Sequence, residues 1–184
     1  MPEEELWQGY SLNGEPSRPI TKTQARKGEL HGASHVWVWH RSTSNSQIEV
    51  LLQKRAKDKL TWPGFLDISA AGHIDGGETP LVAAKREASE EIDLHIDTNK
   101  LQLLFVRYVD DTVNGVREKE FVWVYLYELP SLVDDFRLKD GEVDAVQWVT
   151  LDVLEKLTHD GVPEQQIVPR IYLADLLGEL RRLL

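Results

Sequence analysis

Runs of β-branched and aromatic residues, separated by turn residues, recur along the first 150 positions of the chain. Residues 36–39 and 48–52 predict two strands joined by a polar turn, which together form a hairpin. A short apolar run at 65–71 follows a chain break at Trp62-Pro63-Gly64 and leads into a glycine-containing loop. Further strands are predicted at residues 101–109, 120–128 and 143–149, with a tight turn at Asn114-Gly115.

Helical spacing follows the glycine loop. Thr79 and Pro80 suit the first turn of a helix. Apolar residues then recur at spacings of three and four and predict a stripe that packs on a sheet: Leu81, Ala84, Ala88 and Ile92. Helical patterns also cover residues 151–157 and 168–184. This order predicts an α/β (α+β) fold, with a mixed β-sheet between helices.

Composition narrows the class of protein. A chain of 184 residues fits a single domain spanning residues 1–184, in which 1–32 form an irregular or hairpin-like lead-in and about 150–184 form C-terminal helices. The net charge of -10 argues against nucleic acid or anionic membrane as a partner. No cysteine is present, which excludes disulfides and thiol nucleophiles, and no apolar run approaches membrane-spanning length. We expect a soluble, cytoplasmic protein.

Three carboxylates lie three and four positions apart in the central helix. Glu87, Glu90 and Glu91 would share a face roughly opposite the Leu81 stripe. Like charges at this spacing destabilise a helix by about 0.2–0.5 kcal/mol per pair, and only Arg86 offsets the repulsion. A solvated acidic face is one explanation. Another is a hard divalent cation such as Mg²⁺, which takes carboxylate oxygens as ligands.

The residues before the helix distinguish these explanations. The segment has Gly72, five residues, Glu78, seven residues, and then Arg86-Glu87-Ala88-Ser89-Glu90-Glu91-Ile92-Asp93-Leu94. It resembles the Nudix box, matching every charged position. Asp93 stands where that family has Gly, and we expect a slightly strained, left-handed end of the helix there. The resemblance implies the Nudix fold and a hydrolase that cleaves diphosphate linkages.

The same resemblance implies roles for individual residues. Glu87, Glu90 and Glu91 would bind Mg²⁺, with Mn²⁺ as an alternative ion, and Arg86 would orient a carboxylate. Glu78 would support the loop or a water bound to the metal. Taken alone, Glu78 is explained equally well as a charge near a helix N-terminus.

A second resemblance, from about residue 30 to residue 148, is to the Nudix branch of isopentenyl-diphosphate isomerases and their hydrolase relatives. It implies a metal site from His31, His73, Glu118 and Glu120, and phosphate binding by Arg55 and Lys59. Gln24 stands where the isomerases have another histidine ligand, and Ala71 where they have a catalytic cysteine. Alanine cannot transfer a proton, so the resemblance predicts no isomerisation by that route.

Each flanking residue also has a simpler interpretation. On the sequence alone we favour a loop histidine for His31 and a solvated strand edge for Glu118 and Glu120. For His73 the two interpretations are balanced. The basic residues near Trp62 are expected to bind phosphate, with Trp62 beside the substrate. Glu142 is a candidate general base, although 139–142 is equally an ordinary turn.

These observations favour a magnesium-dependent hydrolase acting on a nucleoside diphosphate derivative or another organic diphosphate, with a homodimer compatible with the chain. Two alternatives stay open. One is an isomerase-like enzyme of the second branch. The other is a non-catalytic module that binds diphosphates or has a regulatory role.

Overall fold

The computed structural model describes residues 4–44, 46–138, 141–159 and 166–184. Within these ranges the strands are β1 (Leu6–Tyr10), β2 (Pro16–Thr21), β3 (His31–Arg41), β4 (Ile48–Arg55), β5 (Leu66–Asp67), β6 (Ala70–His73), β7 (Gln102–Val113), β8 (Val116–Leu129) and β9 (Val143–Thr150). The helices are α1 (Lys22–Arg26), α2 (Pro80–Ile92), α3 (Leu151–His159) and α4 (Leu173–Arg182), and a short 3-10 helix spans Thr98–Lys100.

Strand β3 lies at the centre of a mixed sheet. It pairs in parallel with β8 along ten residues and antiparallel with β6, β4 and β1. Strands β7 and β8 form a long hairpin whose turn residues, Asn114 and Gly115, both have positive φ, as a two-residue hairpin turn requires. Strand β4 carries β9 and β5 on its two edges. Residues from distant parts of the sequence therefore meet around β3.

Helices cover both faces of this sheet because successive β3 side chains point to opposite sides. Val36 and Val38 pack with Ala84, Ala88 and Ile92 of α2. Trp37 and Trp39 pack on the other side with leucines of α3 and α4. Almost all of β3 is buried as a result. The predicted mixed sheet between helices is confirmed.

Helix α2 has clear signals at both ends. The Thr79 hydroxyl accepts a hydrogen bond from the backbone N–H of Val82 at 3.4 Å, and Pro80 occupies the first turn. At the other end Asp93 adopts φ 54° and ψ 31°, the left-handed conformation expected from its place in the motif. The next residue, Leu94, donates its N–H to the Ala88 carbonyl at 2.9 Å, which closes the helix.

The structure differs from the sequence prediction at several boundaries. Leu81 does not join the buried stripe: it is exposed, and Ala83 is buried in its place, so the packed face is rotated towards smaller side chains. Helix α4 begins at Leu173 rather than at 168, because Val168 instead donates its N–H to the Leu66 carbonyl. The lead-in contains the β1–β2 hairpin and α1, and β1 joins the main sheet through β3.

Candidate active site

Strand β6 brings the backbone at Gly72 directly against the Glu87 side chain of α2. A Cβ at position 72 would lie 2.1 Å from Cδ and from Oε1 of Glu87. Gly72 has no positive φ, so backbone conformation does not explain the glycine. The absence of a side chain at this position is what allows the carboxylate to lie there.

Arg86 ties the loop after β6 to the carboxylates of α2. Its Nε and Nη2 donate to the two oxygens of Glu78 at 3.1 and 2.9 Å, and Nη2 also donates to the His73 carbonyl at 2.9 Å. Its Nη1 donates to Glu87 at 2.6 Å and to Glu90 at 3.1 Å. Arg86 therefore orients Glu87, and Glu78 braces the loop, where it also accepts the Asp75 N–H at 3.1 Å.

The three predicted carboxylates do not share one solvent-facing surface opposite the buried stripe. The Glu90 side chain is 53% exposed, whereas Glu91 is only 3% exposed, and Glu87 is intermediate. Glu91 accepts hydrogen bonds from the Ala71 N–H at 2.9 Å and from Gln53 Nε2 at 3.3 Å. Burial raises the pKa of Glu87 to about 7 despite the neighbouring Arg86. The exposure of the three carboxylates therefore decreases from Glu90 through Glu87 to Glu91, which is buried.

A second cluster joins β3, β6 and β8. Glu120 Oε1 lies 3.2 Å from His31 Nε2 and 3.3 Å from His73 Nε2, and the ligand atoms of these residues all lie within 4.8 Å of one another. Trp7 of β1 stacks on the His73 ring, with centroids 3.5 Å apart and planes 8° apart. The parallel pairing of β3 with β8, which sets His31 opposite Glu120, creates this arrangement.

The structure differs from the simpler interpretation of both residues, because His31 is the buried first residue of β3 rather than a loop residue, and Glu120 is buried rather than solvated. Burial alone would raise the pKa of Glu120, but hydrogen bonds from His31 and His73 hold it well below its usual range. Glu118 lies outside the cluster but lines the same cleft, and burial raises its pKa. Gln24 is also outside: it forms a capping box with Thr21 at the start of α1.

The predicted phosphate-binding residues, Arg55 and Lys59, line the cleft and are each paired with an acidic side chain. Arg55 Nη1 donates to Asp67 Oδ2 at 3.0 Å, and Arg55 Nε donates to the Thr61 carbonyl at 3.2 Å. Lys59 forms an ion pair with Glu142, the candidate general base. Of the turn before Glu142, Lys139 and Asp140 lie outside the described residues.

Most of these groups border one cleft of about 610 Å³, although Glu78, Glu91 and Asp67 are not among the residues that line it. It is lined by the α2 residues Arg86, Glu87 and Glu90, by the histidine cluster, and by the basic residues with Trp62 and Glu142. Sequence reasoning missed three contributors. Asp67 and Arg170 are separated by about 100 positions, so no local motif connects them, and Trp7 belongs to the lead-in. None of the helices in the described ranges is long and apolar enough to cross a membrane.

Comparison with known proteins identifies the family. The NUDIX domain family matches residues 32–171. An uncharacterized Nudix hydrolase of Listeria innocua is 31% identical over 174 residues, covering 94% of this chain and 93% of that protein. Nudix hydrolase 3 of Arabidopsis thaliana is 38% identical over 128 residues, but these represent 67% of this chain and only 16% of the plant protein.

Isopentenyl-diphosphate Delta-isomerase of Rhizobium rhizogenes is 30% identical over 138 residues, covering 74% of this chain and 63% of the isomerase. Among solved structures, a Deinococcus radiodurans protein superposes with a TM-score of 0.68 at 19% identity, covering 96% of this chain and 99% of that one. The NUDIX domain of Shewanella oneidensis NrtR, solved with ADP ribose, gives a TM-score of 0.59 at 15% identity, covering 90% of this chain and all (100%) of that domain. The chain therefore is an enzyme of the Nudix hydrolase superfamily, in the branch it shares with proteins named isopentenyl-diphosphate isomerase.

Proposed function

We propose that this protein is a magnesium-dependent hydrolase that cleaves the diphosphate linkage of a nucleoside diphosphate derivative or another organic diphosphate. The observation that carries the proposal is the position of Glu87. Its carboxylate is packed against Gly72, is fixed by Arg86 and lines the cleft between the helix and the basic residues. A metal site at this position would also offset the repulsion between the neighbouring carboxylates of α2.

The residues present fit a hard cation. Glu87 and Glu90 offer carboxylate oxygens to the cleft, and the absence of a side chain at Gly72 leaves room for the Glu87 carboxylate at this position. Mg²⁺ prefers such oxygen ligands, and Mn²⁺ would accept them as well. When bound, the ion would neutralise diphosphate charge and lower the pKa of a bound water. Glu91, which is buried, would be the third carboxylate ligand of the ion.

The remaining cleft residues bind and orient the substrate. Arg55 and Lys59 would attract an anion that the helix carboxylates alone would repel. Trp62 offers an aromatic face beside them. Glu142, held by Lys59 at the edge of the cleft, or a carboxylate of α2 would accept the proton of the attacking water. No covalent intermediate on the protein is needed.

A hydrolysis screen with Mg²⁺, in which the phosphorylated products are separated and measured by chromatography, tests the proposal. The panel would contain nucleoside diphosphates, nucleotide sugars, ADP-ribose, dinucleotides and isoprenoid diphosphates. We expect turnover of at least one class that disappears when EDTA is added and in Glu87→Gln. Glu49→Gln, a carboxylate change on β4, is the matched control and should retain activity. If the wild type binds diphosphates but hydrolyses none of the substrate classes, the protein is better described as a non-catalytic binding module.

An isomerase-like enzyme is the second candidate, favoured by the His31, His73 and Glu120 cluster and by the isomerase names among the relatives. The cluster offers two imidazoles and a carboxylate, a set that suits a transition metal. Ala71 and the lack of any cysteine argue against the proton-transfer chemistry. We expect no dimethylallyl diphosphate from isopentenyl diphosphate, as measured by chromatography of the products.

We propose a cytoplasmic setting, which the lack of cysteine supports, and a small-molecule diphosphate as the partner, without nucleic acid or membrane. A homodimer is compatible with the fold. Light scattering of the purified protein measures its oligomeric state directly.

A further inference from the structure

Two guanidinium groups that line the cleft converge on one buried carboxylate, Asp67. Asp67 is 1% exposed and receives Nη1 of Arg55 at 3.0 Å. Arg170 donates to the same carboxylate through Nε at 3.3 Å and Nη2 at 2.8 Å. Both arginine side chains also line the cleft, with exposed fractions of 15% and 18%. Arg170 comes from the C-terminal segment before α4, so it is absent from the motif that carries the helix carboxylates.

The charges at this point do not cancel. One aspartate against two arginines leaves a net charge of about +1, since guanidinium is always protonated. Glu118 borders the same cleft; burial raises its pKa and the charges of Arg170 and Arg55 lower it, so this carboxylate offsets part of the positive charge without forming an ion pair within the described residues. Nη1 of Arg170 makes no hydrogen bond to any described residue, so both of its N–H donors are available to a ligand.

The backbone around Arg170 is fixed on both sides. Before it, Leu66 donates to the Gln166 carbonyl at 2.7 Å and accepts from the Val168 N–H at 2.8 Å, which ties the segment to β5. After it, the Tyr172 hydroxyl forms a 2.6 Å hydrogen bond with Nδ1 of the buried His35. An arginine held in this way loses little conformational entropy when it binds an anion.

We propose that Arg170 binds a phosphate group of the diphosphate substrate together with Arg55, with Asp67 holding the two guanidinium groups in position. Planar guanidinium groups match phosphate oxygens through paired hydrogen bonds, and two of them on one anion give both affinity and orientation. The inference deepens the proposed function and rests on it for the identity of the substrate, but the anion site itself is testable without turnover.

The test is the binding of methylenediphosphonate, which cannot be hydrolysed, measured by calorimetry on the full chain with Mg²⁺. We expect Arg170→Gln to raise the dissociation constant at least about tenfold, because a charge-assisted pair of hydrogen bonds is lost. Arg107→Gln is the matched control: it makes the same change of net charge at an exposed pair with Asp175, outside the cleft. Its dissociation constant should equal that of the wild type.

Arg170→Lys is a second variant in case Arg170→Gln does not fold, because lysine keeps a positive charge beside Asp67 and removes only the planar guanidinium group. We expect it to fold and to bind about threefold or more weaker than the wild type. A folded Arg170→Gln or Arg170→Lys that binds as tightly as the Arg107→Gln control would overturn the inference. If binding depends on Arg170 but no organic diphosphate is cleaved, the proposed function fails and the anion site stands. If instead Arg170→Lys cleaves the substrate with an unchanged KM, the role of Arg170 in phosphate binding is refuted and the proposed hydrolase function stands.

Discussion

Replacing Gly72 by Ala adds one methyl group at the point where β6 meets α2. The added Cβ would lie 2.1 Å from Cδ and Oε1 of Glu87 and 2.5 Å from Oε2. Ordinary contacts between such atoms are about 3.5 Å, so the carboxylate must move by more than about 1 Å. Glu87 ends in a rotatable side chain and Gly72 has no positive φ, so the backbone itself tolerates alanine.

The expected effect is therefore large on catalysis and small on stability. Misplacing a catalytic group by about 1 Å costs on the order of 100-fold in rate, and we expect kcat to fall by about that factor. Overpacking costs about 1–3 kcal/mol in rigid cores, and rotation of the Glu87 side chain should keep the loss near the lower end. Displacement also weakens the 2.6 Å hydrogen bond from Arg86.

The assay compares steady-state turnover with urea unfolding. Gly178→Ala is the control: apart from its chain neighbours and the local helix backbone, no atom lies within 4 Å of its added Cβ. Helix α4 should gain up to about 1 kcal/mol from the loss of a helical glycine. The double variant Gly72→Ala/Glu87→Ala should be no slower than Glu87→Ala alone, because both changes act on one carboxylate. Wild-type kcat in a folded Gly72→Ala protein would refute the reasoning.

Three other changes test separate parts of the site. Glu91→Gln should lower kcat at least about tenfold. It should also lower the free energy of unfolding by about 1–3 kcal/mol, because the buried carboxylate accepts hydrogen bonds from Ala71 and Gln53. A folded variant with unchanged kcat and unchanged stability would contradict the assignment of Glu91 to the site. Lys59→Ala should raise KM more than it lowers kcat. If this variant has the same KM and kcat as the wild type at both low and high ionic strength, Lys59 is not part of the site. Burial, assisted by the charge of Arg170, lowers the pKa of His35 to about 3. Between pH 3 and 6.5 His35 is therefore protonated in the unfolded chain but neutral in the folded protein, so the free energy of unfolding falls as the pH decreases through this range. From pH 7 to 5 this costs about 2 kcal/mol, and His35→Gln should show a correspondingly shallower pH dependence of urea unfolding; equal slopes would argue against a neutral, buried His35.

Local pattern predicted most of the fold. The β3 and β4 strands, the long β7–β8 hairpin and α2 follow from alternation, turn residues and capping. Prediction was wrong where packing overrides pattern. Leu81 matches the helical stripe, yet it faces solvent, and Ala83 joins Ala84, Ala88 and Ile92 on the buried face of α2. Val168 fits a helix, yet its N–H pairs with β5 instead.

The candidate site divides in the same way. The α2 carboxylates are close in sequence, so their spacing identified them. His31, His73 and Glu120 are brought together by the β3 pairings with β6 and β8. The family resemblance grouped them, but residue types alone favoured a loop histidine for His31 and a solvated strand edge for Glu120. Arg170 and Asp67 meet through long-range packing, which one sequence does not reveal.

The hairpin formed by β1 and β2 lies before residue 32, where the family match begins, yet Trp7 covers the face of His73 and Gly9 pairs with His31. Boundaries drawn from the conserved domain would thus cut through the histidine cluster. A shortened chain starting at residue 32 would lose one imidazole, expose another to water and leave Glu120 with a single basic neighbour. Any comparison of related enzymes by their shared domain alone would overlook the segment that encloses this end of the cleft.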